Sequence, residues 1–334
     1  MWRKKIFDGT ELGLSKPFTF TDLAAAHLPR LTLDNKVVTD YGILRAQLRP
    51  TSRVGKGGHS ILTEYTRHTD SEQRLILLKR SNLEEISFRT EAFIQWLAQK
   101  VLAPLGKRIP PVLDILSLPD DTVGFTMTEF TNAQLCSRWL VNSSALNTDI
   151  LHVLAQSAIL LQVLEDTLAL DHRDLKADNL LILPEPSSVT YTCTSGGFAK
   201  KYCISSPFTV AIVDFGFACL GSDLSLTEID AGEGTLPPLD PCPKDGRDLF
   251  HLIVSLYGVE AIRRGLSPLL RDTFAKWMEV AGKPCSNLAE RWSHSEWIYL
   301  LTSRKEFAHP ACTPRAILET IAHLEPEMFA LVKQ

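Results

Sequence analysis

The sequence lacks the cysteine spacing that would indicate a disulfide framework or a zinc site. Its seven cysteines are odd in number and none of them is spaced as CxxC: Cys136, Cys193, Cys203, Cys219, Cys242, Cys285 and Cys312. Disulfide-rich secreted domains and zinc sites both depend on closely or regularly spaced cysteines. We therefore expect a protein of a reducing compartment.

The chain also has little net charge and no long hydrophobic run. A formal charge of −4 gives no field that would by itself hold nucleic acid or an anionic membrane. The longest apolar stretch, residues 150–164, includes His152, Gln156 and Gln162, so it predicts a buried amphipathic helix rather than a membrane span. The N-terminal MWRKKIFDG is not followed by an apolar segment, which argues against a secretory signal. We expect a monomer of the cytoplasm or nucleus, without a membrane or nucleic-acid partner.

Short β-rich runs, broken by Gly, Pro and Asp, occupy the first part of the chain after residue 42. They lie at residues 43–49, 61–67, 74–79, 112–116 and 123–129, and one helical pattern at 84–101 follows the third. Helical periodicity dominates from Ala133, with patterns at residues 150–164, 247–257, 269–280, 287–301 and 314–332. Alternating β-formers around Gly196–Gly197 predict an inserted hairpin at about 184–209. The pattern favours an α+β chain with two lobes.

Residues 171–182 read DHRDLKADNLLI, and residues 213–218 read VDFGFA. In these stretches Asp174 can accept or orient the proton of an acceptor hydroxyl, and Lys176 can steady a phosphate as a point charge. Asn179 and Asp214 offer a neutral and a charged oxygen, which suits Mg²⁺. A polar turn that matches by accident is the alternative, and the number of residues matching in order argues against it.

HRDLKADN and DFG resemble the catalytic and metal-binding loops of the eukaryotic-type protein kinase superfamily, and the resemblance covers residues 42–330. It implies a bilobal α+β fold: an N-terminal extension at 1–41, a small lobe of antiparallel strands plus one helix at 42–131, and a mainly helical large lobe at 132–334. It also implies ATP and Mg²⁺ as cofactors. Lys176 is more typical of kinases that act on serine or threonine hydroxyls of a protein substrate.

The resemblance assigns the nucleotide phosphates to residues of the small lobe. Gly55, Gly57 and Gly58 stand where a phosphate-covering loop is expected, although Ser60 replaces its third glycine. Lys79 resembles the lysine that contacts the α- and β-phosphates, with Leu77 in place of the usual alanine. A carboxylate should pair with this lysine: Glu91 is the best candidate, and Glu84 and Glu85 compete with it.

The resemblance also assigns an adenine pocket. Val54, Leu62 and Leu181 would sandwich the purine ring, while the backbone of Glu129 and Thr131 would face its edge. Apolar residues that alternate along a strand more often belong to the core than to a ligand site, so the alternative interpretation is that these three are simply core residues. Thr128 would be the gatekeeper at the end of the preceding strand.

Four further positions have expected roles near the two motifs. His172 and Phe215 are expected to pack rather than to react. Arg173 would pair with a phosphorylated residue of the loop after DFG, for which Ser222, Ser225 and Thr227 are candidates, or with the acidic residues already present there. Asp248 resembles the helix aspartate that anchors the backbone of the catalytic loop.

The chain departs from the family in two ways. The connection from Asn179 to Asp214 is unusually long, and no APE follows DFG. This organisation resembles haspin-like kinases, which however replace DFG with another triplet, so a histone substrate is not implied. Loss of APE also keeps two alternatives open: a pseudokinase scaffold, which Ser60 and Leu77 would favour, and a small-molecule phosphotransferase, which the full HRDLKADN and DFG disfavour.

Overall fold

The computed structural model describes residues 32–33, 36–37, 48–56, 60–68, 73–81, 88–117, 123–195, 198–220 and 243–329. The chain divides into two compact units. Unit 1 comprises Met1–Val101, Ile109–Phe130 and Asp214–Pro238, and unit 2 comprises Leu102–Arg108, Thr131–Val213 and Leu239–Gln334. The described residues form a mixed α and β structure with antiparallel sheets. The segment Asp214–Pro238 thus belongs to unit 1 although it follows the long stretch of unit 2.

Unit 1 contains a five-stranded antiparallel sheet in the order β3-β4-β5-β7-β6. The described elements of unit 1 are β1 (Thr32–Leu33), β2 (Lys36–Val37), β3 (Leu48–Lys56), β4 (Ser60–His68), β5 (Gln73–Ser81), α1 (Arg89–Leu102), β6 (Val112–Ser117), β7 (Val123–Thr128) and β14 (Cys219–Leu220). The first β-rich run was predicted at 43–49, whereas β3 covers Leu48–Lys56, and residues 43–47 lie outside the described part. Gly55 consequently lies within a strand, where it pairs with Leu62 of β4.

Helix α1 packs its apolar side into the core of unit 1. Ala92, Ile94 and Leu97 are buried at helical spacing. Glu91 in the first turn and Lys100 in the last turn both complement the helix dipole. In the described residues this helix begins at Arg89, and residues 84–87 of the predicted helix lie outside them.

Unit 2 is mainly helical. Its described elements are β8 (Gln134–Leu135), α2 (Cys136–Val141), α3 (Leu146–Leu168), β9 (Leu170–Asp171), β10 (Leu180–Leu183), β11 (Ser187–Ser195), β12 (Phe198–Ser206), β13 (Thr209–Ile212), α4 (Arg247–Gly258), α5 (Glu260–Gly265), α6 (Pro268–Trp277), β15 (Glu279–Val280), β16 (Lys283–Pro284), α7 (Ser286–Trp292), α8 (Glu296–Thr302) and α9 (Pro314–Leu324). Short 3₁₀ turns lie at Ala103–Leu105, Ala177–Asn179, Pro310–Cys312 and Pro326–Met328.

The long helix α3 forms the centre of unit 2, and its buried Gln156 makes its hydrogen bonds inside the protein. The fully buried Gln156 accepts a hydrogen bond from Arg108 at 2.8 Å and donates to the carbonyl of Phe208 at 3.1 Å. Burial of an amide is tolerated because its hydrogen bonds are made. Among the described helices, none is long and apolar enough to cross a membrane.

The alternating residues around Gly196–Gly197 form two nine-residue strands, β11 and β12, that pair antiparallel along their whole length. Val189 and Ile204 are buried on one side of this hairpin. Ile204 also forms a β-bridge with Phe329, whose ring lies 5.8 Å from that of Tyr202. The end of the described chain therefore packs against the hairpin.

Three of the predicted helices are shorter or broken. The pattern at 287–301 forms two helices, α7 and α8, because Ser293 between them adopts a left-handed φ of 52°. The pattern at 269–280 ends as a helix at Trp277, and the next residues enter the β15–β16 hairpin. Helix α9 likewise ends at Leu324.

Four of the cysteines in the described residues are free, and one is in a disulfide. Cys136, Cys203, Cys285 and Cys312 are free thiols. Cys219 is disulfide-bonded, which the spacing of the cysteines did not predict.

Gly246 and Gly282 offer a matched test of packing in unit 2. Both have φ of 74°, but a Cβ at Gly246 would lie 2.2 Å from the carbonyl oxygen of His309, whereas a Cβ at Gly282 would meet nothing within 4 Å. Gly282→Ala should therefore cost only the left-handed strain of about 1–2 kcal/mol. Gly246→Ala should cost about 3–5 kcal/mol, because steric overlap is added. Urea denaturation measures both, and equal losses would contradict the prediction.

Candidate functional site

A buried lysine in unit 1 is shared by two carboxylates. Lys79 of β5 lies with its Nζ 2.5 Å from Oε1 of Glu91 in α1 and 2.7 Å from Oδ1 of Asp214. Lys79 and Glu91 are buried, but the side chain of Asp214 is 43% exposed. The Lys79 ammonium also lies 5.2 Å from the ring centroid of Phe88. Asp214 is thus the accessible carboxylate of the cluster.

The pKa values of this cluster follow from burial and charge. Burial alone would lower the pKa of Lys79, but Glu91 and Asp214 together raise it above its ordinary value. Burial raises the pKa of Glu91 to about 7, and Lys79 opposes this shift. The lysine is therefore held as a cation.

The backbone beside Asp214 is shaped to hold its carboxylate in this position. Asp214 has a left-handed φ of 68°, which is unfavourable for a residue with a side chain. A Cβ at Gly216 would lie 3.4 Å from Oε2 of Glu91 and 3.5 Å from Oδ1 of Asp214. A longer side chain there would crowd both carboxylates.

In unit 2, Asp174 is surrounded by hydrogen-bond donors. Its Oδ2 accepts from Nζ of Lys176 at 2.8 Å and from Nδ2 of Asn179 at 3.1 Å. Nδ2 of Asn179 also donates to the backbone carbonyl of Asp174 at 2.9 Å. The hydroxyl of Tyr299 in α8 donates to Oδ1. Asp174 is thus a buried, fixed carboxylate beside a lysine.

A second buried carboxylate holds the backbone of this loop. Asp248, in the first turn of α4, accepts from the backbone N–H groups of His172 at 2.6 Å and Arg173 at 2.8 Å, as the sequence predicted. Burial and the nearby Asp171 raise the pKa of Asp248 to about 7. Asp171 in turn accepts from Nε of Arg247 at 3.0 Å. This buried ion pair stabilises the start of the loop.

His172 and Phe215 are buried, as expected for packing residues. A ring nitrogen of His172, Nε2, lies 3.1 Å from the carbonyl oxygen of Val213. Arg173 is 7% exposed and has a φ of 64°. Its proposed partners Ser222, Ser225 and Thr227 lie outside the described residues.

The predicted site residues thus fall into two groups, each within one unit. Lys79, Glu91 and Asp214 come together in unit 1. Asp174, Lys176 and Asn179 come together in unit 2. The competing Glu84 and Glu85 lie outside the described residues.

The predicted nucleotide-contacting residues are described only in part. Leu62 and Glu129 in unit 1 are half-buried, as is Leu181 in unit 2, whereas Thr131 is exposed. Gly55 is exposed at the end of β3, the strand that also contains Val54. Gly57 and Gly58 lie outside the described residues.

Tyr299 and the histidines beside it were missed by sequence reasoning. The ring of Tyr299 lies 5.4 Å from the rings of both His251 and His294, edge to face. Nε2 of His294 lies 3.3 Å from Nδ1 of His251. The segment around Tyr299 reads EWIYLLT, which is an ordinary helical pattern, so no local signal indicates a contact with Asp174.

The side-chain oxygens of Asp214 and Asn179 are those best suited to a metal ion. Asn179 uses its amide nitrogen toward Asp174, so its oxygen is the atom that could bind a cation. No group of three or more His, Cys, Asp or Glu residues within the described ranges could hold a metal ion. Carboxylate and amide oxygens are each of the kind that Mg²⁺ binds, commonly one or two from the protein, with phosphate oxygens and water completing the shell.

Comparison with known proteins gave no family: neither the protein-family models nor the curated proteins contain a match to this chain.

The histidines near Asp174 predict a loss of stability in acid. Burial lowers the pKa of His294 to about 4, with Asp174 opposing and Lys176 adding to the shift, and burial lowers that of His251 well below its ordinary value. Between pH 6.5 and 4 the unfolded chain therefore binds protons that the folded chain does not. The stabilisation that comes from keeping these histidines neutral should be fully present above pH 6.5 and should be lost as the pH falls below that value. His294 should account for a loss of up to about 3 kcal/mol in the free energy of unfolding.

The test compares the parent protein with His294→Gln by urea denaturation at pH 7, 5.5 and 4.5. The variant should lose less stability on acidification, because one of the two histidines no longer titrates. Identical pH profiles for the two proteins would contradict the assignment.

Proposed function

We propose that this protein is a Mg·ATP-dependent protein kinase that transfers the γ-phosphoryl group to a serine or threonine hydroxyl. The observation that carries the proposal is the buried Lys79, compensated by both Glu91 and Asp214. One buried carboxylate would suffice for a structural ion pair. The second carboxylate is 43% exposed, which supports a role toward a ligand from solvent.

Each residue of the cluster has a distinct role in this proposal. Lys79 binds the α- and β-phosphates, and Glu91 holds it by the 2.5 Å contact. Asp214 and Asn179 hold Mg²⁺, which when bound neutralises charge on the transferring phosphate. The sequence resemblance is what assigns the residues of both units to one reaction.

Asp174 orients the acceptor. Its carboxylate is 3% exposed and fixed by Lys176 and Asn179, so it can accept a hydrogen bond from the attacking hydroxyl in a set direction. The Lys176 ammonium is 33% exposed, which suits a group that also contacts phosphate.

The architecture supports a bilobal kinase fold as part of the proposal. Unit 1 contains a five-stranded antiparallel sheet and α1, and unit 2 is mainly helical. The β11–β12 hairpin lies between the two motifs and supports an atypical, haspin-like build. The location proposed for such a protein is the cytoplasm or nucleus.

A pseudokinase that binds nucleotide without transferring phosphate is the second candidate. The observation that favours it is the 2.7 Å contact between Lys79 and Asp214, because a carboxylate already neutralised by lysine is a weaker metal ligand. In this alternative the protein responds to nucleotide but labels no peptide.

Two variants should separate these functions. Asp174→Asn should lower peptide labelling from labelled ATP by about 10²–10⁴-fold, because the acceptor loses its base, and should keep the rise in Tm caused by Mg·ATP. Asp214→Ala should lose the labelling and most of the rise in Tm. The measurements are a peptide array and thermal unfolding with and without Mg·ATP.

Asp272→Asn, which changes an exposed carboxylate of α6, is the control and should behave as the parent. A Tm shift without any labelling by the parent would favour the pseudokinase. The absence of any Mg·ATP-dependent shift would overturn both candidates, and labelling that survives Asp174→Asn would refute the role of Asp174.

A further inference from the structure

Tyr299 occupies one particular oxygen of Asp174. Oδ2 already accepts from Lys176 at 2.8 Å and Asn179 at 3.1 Å, whereas Oδ1 accepts from the Tyr299 hydroxyl and, at 3.2 Å, from Lys176. A carboxylate offers about four lone pairs. With four hydrogen bonds from three donor groups, Asp174 has no lone pair left for the hydroxyl of an acceptor. The tyrosine is the donor that most resembles such an acceptor, because both are neutral O–H groups.

The surroundings of Tyr299 hold its ring firmly but leave its helix at the surface. The rings of His251 and His294 contact it edge to face at 5.4 Å. Leu300, the next residue of α8, is 70% exposed. Helix α8 has only seven residues and follows the strained Ser293, whose φ is 52°. Ile298 and Thr302 of the same helix are buried, so a substrate hydroxyl would displace the tyrosine side chain rather than the helix.

We propose that Tyr299 occupies the acceptor position at Asp174, so that the serine or threonine hydroxyl of a substrate must displace the tyrosine hydroxyl before phosphate is transferred. This inference rests on the proposed function and deepens it. It makes Tyr299 a specificity-determining residue. An acceptor that binds weakly, such as water, does not displace the tyrosine, whereas a peptide that makes further contacts does.

The charged and titratable groups around Tyr299 agree with a neutral donor in this place. They are Asp174 and Lys176 from the loop, His251 from α4 and His294 from the α7–α8 connection. Burial lowers the pKa of both histidines, so near neutral pH they are uncharged.

The first experiment uses Tyr299→Phe, which keeps the ring and removes only the hydroxyl. The KM for a labelled peptide should fall roughly three- to tenfold, because the peptide no longer displaces a hydrogen bond to a charged group. The kcat should change little, and ATP hydrolysis without peptide should rise. A fall in kcat at unchanged KM would overturn the inference, because Tyr299 would then position Asp174 for reaction.

The second experiment needs no phosphate transfer. Carbodiimide with glycinamide modifies accessible carboxylates, and mass spectrometry measures the modification of Asp174. Tyr299→Phe should raise its rate several-fold. The control is Tyr257→Phe, which removes a comparable tyrosine hydroxyl that donates to Glu290 at 3.2 Å. This control should leave both KM and the modification of Asp174 as in the parent.

The two experiments distinguish the failure of each proposal. If Tyr299→Phe labels the peptide with the KM of the parent and its Asp174 is modified at the rate of the parent, Tyr299 does not occupy the acceptor position. The proposed kinase activity would still stand. If Tyr299→Phe speeds the modification of Asp174 but neither the parent nor the variant labels a peptide, the proposed kinase activity would be overturned, and with it the displacement of Tyr299 by an acceptor hydroxyl. The hydrogen bond from Tyr299 to Asp174 would still stand.

Discussion

The two hydrogen bonds that Asp248 accepts from backbone N–H groups support the whole arrangement of unit 2. They hold His172 and Arg173, and Arg173 adopts a left-handed φ of 64° that would otherwise be unfavourable. The next residue is Asp174. The buried Asp248 thus holds the backbone that leads to Asp174, and Arg247 forms a buried ion pair with Asp171 in the same region.

Charge compensation organises unit 1 in a similar way, with two carboxylates against one buried lysine. A buried lysine requires a partner, and Glu91 from the first turn of α1 provides it. Asp214 adds a second, more exposed carboxylate at 2.7 Å. The 43% exposed carboxylate of Asp214 is the observation on which the proposed role toward a cation and its phosphate ligand rests.

Much of the candidate site could be predicted from local motifs. Asp174, Lys176 and Asn179 are close in sequence, so a turn of this length brings their side chains near one another. The partner of Lys79 was harder to predict, because Glu84, Glu85 and Glu91 all lie at plausible distances along the chain. Glu91 is the partner in the structure, and the position of α1 against β5 selects it.

The sequence by itself determined the strand-rich and helix-rich portions, the two motifs and the hairpin around Gly196–Gly197, because periodicity and turn residues act over a few neighbours. Only the tertiary structure decided that Asp214 approaches Lys79 and that Tyr299 reaches Asp174. It also broke the helical pattern at Ser293, which puts α8 beside the loop. The physical reason is that these contacts join residues far apart in the chain, and packing of whole elements, rather than local propensity, brings them together.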